Sequence, residues 1–301
     1  MVLKNNWRDF LRSDMKLQQS IVKVTNRMIS IMSNAENEAE LSTYKVLQPV
    51  HFLIACLAEK GGALGEISWK STLEVASLRV LAEELCTDLN QHTATSEFFS
   101  VPVTEDVLTV LEVAFQYMKK YKQVYMNEGH LLKALLTTHM LDHYVSDEDK
   151  KILLSLGTAS RDMIAYLDQY QFPQVHSNFI RKVNAHDAND LLHFVEHQFS
   201  KQWSETIRSA FLLDEPSIYI AFDSKDQIVG FAAFDVYKNR KGYFGPMGVS
   251  HSNRVKGIGY SLLHHCLKDM QEIGYEYAII GGAGPLEFYE RACNAVVIPT
   301  A

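Results

Sequence analysis

Residues 243–263 read YFGPMGVSHSNRVKGIGYSLL, and the fold of the second half of the chain can be predicted from them. The apolar run Tyr243–Val249 predicts a β-strand, and the apolar residues after the glycines have helical spacing. The loop between them contains Arg254, Gly257 and Gly259 in the pattern Arg-x-x-Gly-x-Gly. Glycine lets the backbone approach a ligand closely, and the free N–H groups at a helix N-terminus attract anions. The stretch therefore predicts a phosphate-binding loop, although the pattern also fits an ordinary strand-to-helix connection.

Three motifs in this half, taken in order, resemble the GNAT superfamily of N-acetyltransferases. They are residues 244–249 (FGPMGV), residues 254–259 (RVKGIG) and residues 284–291 (GPLEFYER). The resemblance covers residues 178–298. It implies an α/β (α+β) acyl-CoA N-acyltransferase fold with a mostly antiparallel mixed sheet, and an enzyme that transfers an acetyl group from acetyl-CoA to an amine.

The resemblance also implies which residues bind the cosubstrate, acetyl-CoA. The backbone of residues 247–249 is expected to pair with the pantetheine arm and the acetyl carbonyl, and the glycine loop with the pyrophosphate. The residues so assigned are Met247, Gly248, Val249, Arg254, Val255, Lys256, Gly257, Ile258, Gly259, Tyr260 and Ser261. The family usually ends in a pair of antiparallel strands, so we expect the last strand here to be missing or cut short.

Amine acetylation needs a group that protonates the departing CoA thiolate and a base that deprotonates the amine. Tyr289 matches the family's general acid, and a phenol with a pKa of about 10 can donate a proton to a thiolate. A core tyrosine that packs the last helix on the sheet is the alternative. Asp235 is the first candidate for the catalytic base, with Glu205 or a water chain as others. Both carboxylates also fit a solvated surface.

An internal repeat runs through the first half of the chain, where apolar residues have helical spacing from about residue 21 to residue 170. Residues 47–57 (LQPVHFLIACL) and 127–136 (NEGHLLKALL) place His51 and His130 at equivalent positions, 79 residues apart. Each histidine either caps its helix or contacts a ligand. Residues 1–20 are amphipathic and are also expected to form a helix.

These segments resemble the double four-helix repeat of the Clp N-terminal domain, a docking module of AAA+ unfoldases. The resemblance implies an all-α repeat bundle, with copies at about 21–95 and 100–170, that docks a protein partner. Relatives that bind phosphoarginine usually carry Glu just before the histidine, whereas this chain has Val50 and Gly129 there, with Glu128 one residue early. We therefore expect an apolar or helical protein segment as the ligand rather than phosphoarginine.

Length and composition fit two globular domains. The predicted domains are residues 1–172 and residues 179–301, joined by a linker at 173–178. The net charge of −7 argues against a nucleic-acid partner, and no apolar run is long enough to span a membrane. The four cysteines show no close pairing, so we expect free thiols and a reducing, cytoplasmic location.

His193 and His197 share a helix face at a spacing that can bind a metal. No third ligand stands at a fitting distance, so we expect no metal cofactor. The predicted edge strand at residues 295–298 is followed by Pro299, which cannot donate a backbone hydrogen bond. We expect this edge to be covered by the N-terminal half or to contact a second copy in a homodimer.

Two functions fit these patterns. The first is an acetyl-CoA-dependent N-acetyltransferase that carries a protein-docking module. The alternative is a non-catalytic adaptor related to Clp substrate recognition, whose acetyltransferase domain has degenerated. Intact Arg254, Gly257, Gly259 and Tyr289 favour the enzyme. The acceptor stays open between a small amine, a peptide N-terminus and a protein lysine.

Overall fold

The computed structural model describes residues 14–17, 20–85, 93–175, 179–213 and 215–300. The chain forms two compact units, residues 1–159 with 299–301, and residues 160–298. The prediction of two domains is therefore confirmed. The division lies before the boundary predicted at residue 172, because residues 161–166 belong to the second unit.

Seven helices make up the described part of the first unit. They are α1 Asn26–Leu41, α2 Pro49–Ala58, α3 Gly62–Lys70, α4 Val75–Leu85, α5 Glu105–Lys120, α6 Glu128–Thr137 and α7 Asp147–Gly157. Short strands accompany them: β1 Asp14–Leu17, β2 Ser20–Val24, β3 Thr93–Ala94, β4 Val103–Thr104 and β5 Tyr125–Met126. The helix expected at residues 1–20 is wrong for 14–17, which pair with β2, and residues 1–13 lie outside the described residues.

Two reciprocal backbone contacts join the segments of the predicted internal repeat. Thr25 donates its N–H to the carbonyl of Met126 at 3.0 Å, and Thr104 donates to the carbonyl of Leu47 at 3.0 Å. Both threonines also cap the helix that follows, since their hydroxyls accept from the backbone of α1 and α5. The second copy has three helices between residues 93 and 175, all of which are described, so the predicted fourth helix is wrong.

A seven-stranded sheet forms the centre of the second unit, with the strand order β12-β6-β11-β10-β9-β8-β7. Its strands are β6 Arg161–Tyr166, β7 Ile180–Lys182, β8 Ile218–Phe222, β9 Ile228–Phe234, β10 Tyr243–Val249, β11 Tyr277–Ala283 and β12 Val296–Val297. Only β10 and β11 run parallel, and the other pairs are antiparallel. The predicted mixed, mostly antiparallel sheet is confirmed.

β6 occupies the place of the strand that was expected to be missing. It lies between β11 and β12 and pairs with both. The helical pattern predicted up to residue 170 is therefore wrong here. Met163 and Ala165 are fully buried, while Asp162 and Tyr166 are exposed, which is the alternation of a strand with one covered face. The predicted linker consequently falls inside the second unit, between β6 and β7, and residues 176–178 lie outside the described residues.

Helices cover the two faces of this sheet differently. α8 Ala188–Gln198 and α9 Lys201–Ala210 pack on one face, in a core with residues of β8 and β9. α10 Ile258–Ile273 and α11 Leu286–Cys293 pack on the other, in a core that includes Met163, Ala165 and Phe244. We call the first the outer face and the second the helix α10 face.

The described cysteines are unpaired, as the sequence predicts. Cys56 and Cys266 are buried and Cys293 is partly buried, whereas Cys86 lies outside the described residues. Across the described ranges, every helix is too short or too polar to cross a lipid bilayer.

Candidate active site

The two central strands of the sheet separate partway along their length. β10 and β11 pair through Phe244 and Ile280 and through the residue before each. Beyond these pairs β10 continues along β9, after a bulge, and β11 continues along β6. The strands therefore leave a space between residues 247–249 of β10 and residues 281–283 of β11, which we call the strand gap.

Backbone donors of β10 point into the strand gap. Ser250 donates its N–H to the carbonyl of Val229 in β9 at 2.8 Å. Because N–H groups alternate in direction along an antiparallel strand, Gly248 faces β9 as well, and Met247 and Val249 face the gap. Among the described residues, β10 pairs with β11 through residues 243 and 244 alone, so these two N–H groups have no partner in the strand ladder. The strand gap thus offers two unpaired donors to a carbonyl oxygen or an amide of a ligand.

The glycine loop begins helix α10 beside this gap. A short 3-10 helix at His251–Lys256 leads into Gly257, which has φ +73° and caps the helix. A Cβ on Gly257 would meet no atom within 4 Å, so the space in front of this backbone is open. The first N–H groups of α10 have no partner within the helix and carry its positive end. A phosphate group fits this position.

Arg254 connects the loop to β10. Its Nε donates to the carbonyl of Val249 at 3.1 Å, which fixes the loop against the end of the strand. Burial lowers the pKa of Arg254. Because the ordinary pKa of arginine is very high, the guanidinium keeps its charge at neutral pH. The side chains of Val255 and Lys256 lie outside the described residues.

Tyr289 lies on α11, on the helix α10 face of the sheet. Its ring is buried and packs edge-on against Phe244 of β10, with 6.4 Å between centroids, and against Phe288. Burial is the larger cause that raises the pKa of Tyr289 above its ordinary value, and the neighbouring Cys293 raises it further. The phenol therefore holds its proton at neutral pH. The ring packs helix α11 against β10.

Asp235 has a structural role that the sequence did not show. Its carboxylate accepts from the backbone of Gly242 at 2.8 Å, from Tyr275 Oη at 2.7 Å and from Lys241 Nζ at 3.4 Å. These bonds close the hairpin between β9 and β10, at the opposite end of β10 from the glycine loop. The geometry argues against the predicted catalytic base at Asp235. Glu205 is exposed on α9.

The histidine pair on α8 is an exposed feature. The rings of His193 and His197 lie 4.0 Å apart, and His197 Nδ1 is 3.1 Å from the carbonyl of His193. The described part of the chain contains no cluster of three or more side chains suited to hold a metal ion.

The repeat histidines of the first unit cap their helices. His51 Nδ1 accepts from the backbone of Gln48 at 3.0 Å, and His130 Nδ1 accepts from Asn127 at 3.0 Å. Burial lowers the pKa of both histidines to about 4. They are therefore neutral at pH 7, and the capping alternative explains their spacing.

Two polar residues near the strand gap were missed by sequence reasoning. Asp162 of β6 accepts from the backbone of Gly282 at 2.8 Å. Tyr243 extends across Gly281, where a Cβ would overlap its hydroxyl. The alternation of buried and exposed residues in 161–166 could have indicated the strand that carries Asp162. The sequence does not show that this strand pairs with β11.

Two family models match separate parts of the chain. Residues 23–144 match the Clp repeat (R) N-terminal domain, and residues 186–294 match the acetyltransferase (GNAT) family. None of the curated proteins matches the chain.

Solved structures resemble each half. A glucosamine N-acetyltransferase region of a fungal multi-domain β-N-acetylglucosaminidase is 17% identical, with 46% of this chain and 20% of that chain covered and a TM-score of 0.40. The N-terminal domain of ClpD from Arabidopsis thaliana is 17% identical, with coverages of 44% and 92% and a TM-score of 0.34. A GNAT acetyltransferase from Brucella melitensis, solved with acetyl-CoA, is 20% identical, with coverages of 42% and 90% and a TM-score of 0.32.

The present chain spans only a fifth of the length of the fungal enzyme. With both family matches in separate halves, the chain joins a Clp repeat N-terminal domain to a domain of the GNAT acetyltransferase family.

Proposed function

We propose that the second unit transfers the acetyl group of acetyl-CoA to a primary amine, and that the first unit docks a protein partner. The observation that carries the enzymatic part is the strand gap. Met247 and Val249 present two unpaired N–H donors there, and Gly257 opens the positive end of α10 next to them. Acetyl-CoA has a carbonyl and amides that can pair with the two N–H donors. Its pyrophosphate can bind at the positive end of α10.

The chemistry follows from this placement. The acetyl carbonyl accepts a hydrogen bond from β10, which polarises it and stabilises the oxyanion that forms when the amine attacks. The C–S bond then breaks, and Tyr289 supplies a proton to the sulfur. Direct transfer of this kind needs no covalent intermediate on the protein, and we place no metal in it.

The non-catalytic alternative depended on an incomplete sheet. β6 fills the position next to β11, so the support for a degenerate domain from a missing strand falls away. The enzyme is the function that the geometry supports best.

Binding of acetyl-CoA is tested by calorimetric titration of the full chain and of Gly257→Glu. The substitution puts a side chain and a negative charge into the open space before α10, so we expect affinity to fall below detection. Gly274→Glu is the matched control, because Gly274 ends the same helix with φ +102° and equally open space. Equal affinity in all three proteins would contradict the assignment of the loop.

For the first unit, we propose a docking function that does not depend on phosphoarginine. Val50 is fully buried, so it offers no carboxylate and no surface to a guanidinium. Glu128 forms a 3.0 Å ion pair with Arg27. Burying a cation without a paired charge costs several kcal/mol, which removes micromolar binding. Titration of a phosphoarginine peptide into the full chain should give no heat, and micromolar affinity would refute the proposal.

A further inference from the structure

β6 brings a carboxylate to the strand gap from the outer face of the sheet. Met163 and Ala165 pack in the core on the helix α10 face, so Asp162 lies on the opposite side of the strand. The outer face is open to solvent here, since Asp162 and Gly282 are both exposed. An acceptor can therefore reach Asp162 without displacing a packed side chain.

A single backbone bond fixes the carboxylate. Asp162 Oδ1 accepts from the N–H of Gly282 at 2.8 Å. Gly282 lies in the part of β11 that borders the strand gap, beyond its last pair with β10. Among the described residues, Oδ2 has no partner. One oxygen is thus anchored at the gap while the other stays available for a ligand.

Tyr243 of β10 lies on the same face and borders the same gap. Its side chain extends over Gly281, the neighbour of Gly282, and its ring stacks on Tyr237 with 5.2 Å between centroids. Burial raises the pKa of Tyr243, and the charge of Asp162 raises it further. The aromatic pair already accommodates cations, because Lys238 Nζ lies 5.2 Å from the Tyr237 centroid and the Arg240 guanidinium 6.0 Å from that of Tyr243.

We propose that Asp162 and Tyr243 form the acceptor site, in which the ammonium group of a primary amine binds Asp162 Oδ2. This assignment rests on the proposed acetyl transfer. It places the amine on the outer face of the strand gap, and the thioester and Tyr289 on the helix α10 face. The two reactants then meet across the gap, at the N–H groups of Met247 and Val249.

Each proton in this arrangement has a donor and an acceptor. One N–H bond of the ammonium breaks and its proton goes to Asp162 Oδ2, from which solvent removes it. The lone pair of the neutral amine attacks the carbonyl carbon, the C–S bond breaks, and the sulfur takes the proton of Tyr289. The nitrogen then gives up its second proton, which restores the phenol. The products are the acetamide, the CoA thiol and one proton in solvent.

Asp162→Asn tests the site in the full chain. Asparagine keeps an oxygen for the Gly282 N–H but loses the charge, so the strand is preserved. Hydrogen bonds to charged groups are the stronger class, and their loss corresponds to a fall of roughly 10–100-fold in kcat/KM for the amine. The KM for acetyl-CoA should stay unchanged. Asp168→Asn, an exposed position just after the same strand, is the matched control.

The acceptors in this assay are spermidine, tyramine, glucosamine and a lysine-containing tetrapeptide. A tenfold or larger loss for every amine that the wild type acetylates, seen in Asp162→Asn alone, supports the site. Unchanged kcat/KM in this variant overturns it while acetyl transfer itself stands. Acetyl-CoA binding by the wild type without turnover of any amine also counts against the site. Failure to bind acetyl-CoA at all refutes the proposed function instead.

Discussion

Replacing Tyr289 by Phe removes one oxygen atom and leaves the ring in its contacts. The ring packs against Phe244 and Phe288, and these contacts do not involve the hydroxyl. Among the described residues, none bonds to that hydroxyl. The fold therefore gains nothing from the oxygen, whereas the proposed proton donation depends on it entirely.

The substitution should consequently affect the rate and not the stability. General acids typically contribute about 10²–10⁴-fold to rate, which corresponds to about 3–5 kcal/mol of barrier at 298 K. Since no hydrogen bond within the described residues is lost, the free energy of unfolding should stay level. We expect kcat to fall by two to four orders of magnitude in Tyr289→Phe, with the Kd for acetyl-CoA and the melting temperature maintained.

Tyr170→Phe is the matched control for this experiment. The Tyr170 hydroxyl lies 2.6 Å from His264 Nδ1, so its removal should destabilise the second unit by roughly 1–3 kcal/mol while kcat is maintained. Stopped assays of CoA thiol release and thermal melts of both variants separate the two outcomes. Wild-type kcat in Tyr289→Phe would show that the tyrosine only packs the helix and that the thiolate leaves unaided.

Two further predictions test the fold. Met163→Ala should destabilise the second unit by about 2–5 kcal/mol, because the side chain is fully buried in β6. Leu154→Ala is the control and should change stability little, because Leu154 is partly exposed. Equal melting temperatures for the two variants would contradict the placement of β6 in the sheet. The pKa of about 4 for His51 and His130 predicts acid sensitivity of the first unit. The unfolded chain binds protons that the folded chain does not, so stability is complete above about pH 6.5 and falls toward pH 4, by up to about 3 kcal/mol per histidine. Hydrogen exchange in α2 and α6 between these pH values measures it, and constant protection would contradict it.

Local patterns were sufficient for the features that depend on neighbouring residues. The glycine loop, with Gly257 at positive φ and α10 after it, follows from backbone geometry over a few positions. The same holds for the repeat in the first unit, where His51 and His130 cap helices that begin two residues earlier in equivalent turns.

Long-range pairing could not be predicted in this way. Residues 161–166 alternate as a strand should, but their partner β11 is distant in sequence, and the helical segments before them favoured continuing the helices. Asp235 was a candidate base under the family resemblance, and only the folded chain shows that Tyr275 and Gly242 use its carboxylate. Asp162 was overlooked for the same reason, since its position at the strand gap depends entirely on β6.

The proposed acetyl transfer can be measured directly as acetyl-CoA turnover by the full chain. The purified protein is incubated with acetyl-CoA and the four amines named above, and CoA thiol release is followed alongside mass spectrometry of the amine. We expect thiol release that depends on the amine, an acetylated product in equal amount, and loss of both in Gly257→Glu. Release that is independent of every amine, or no release from a protein that binds acetyl-CoA, would contradict it.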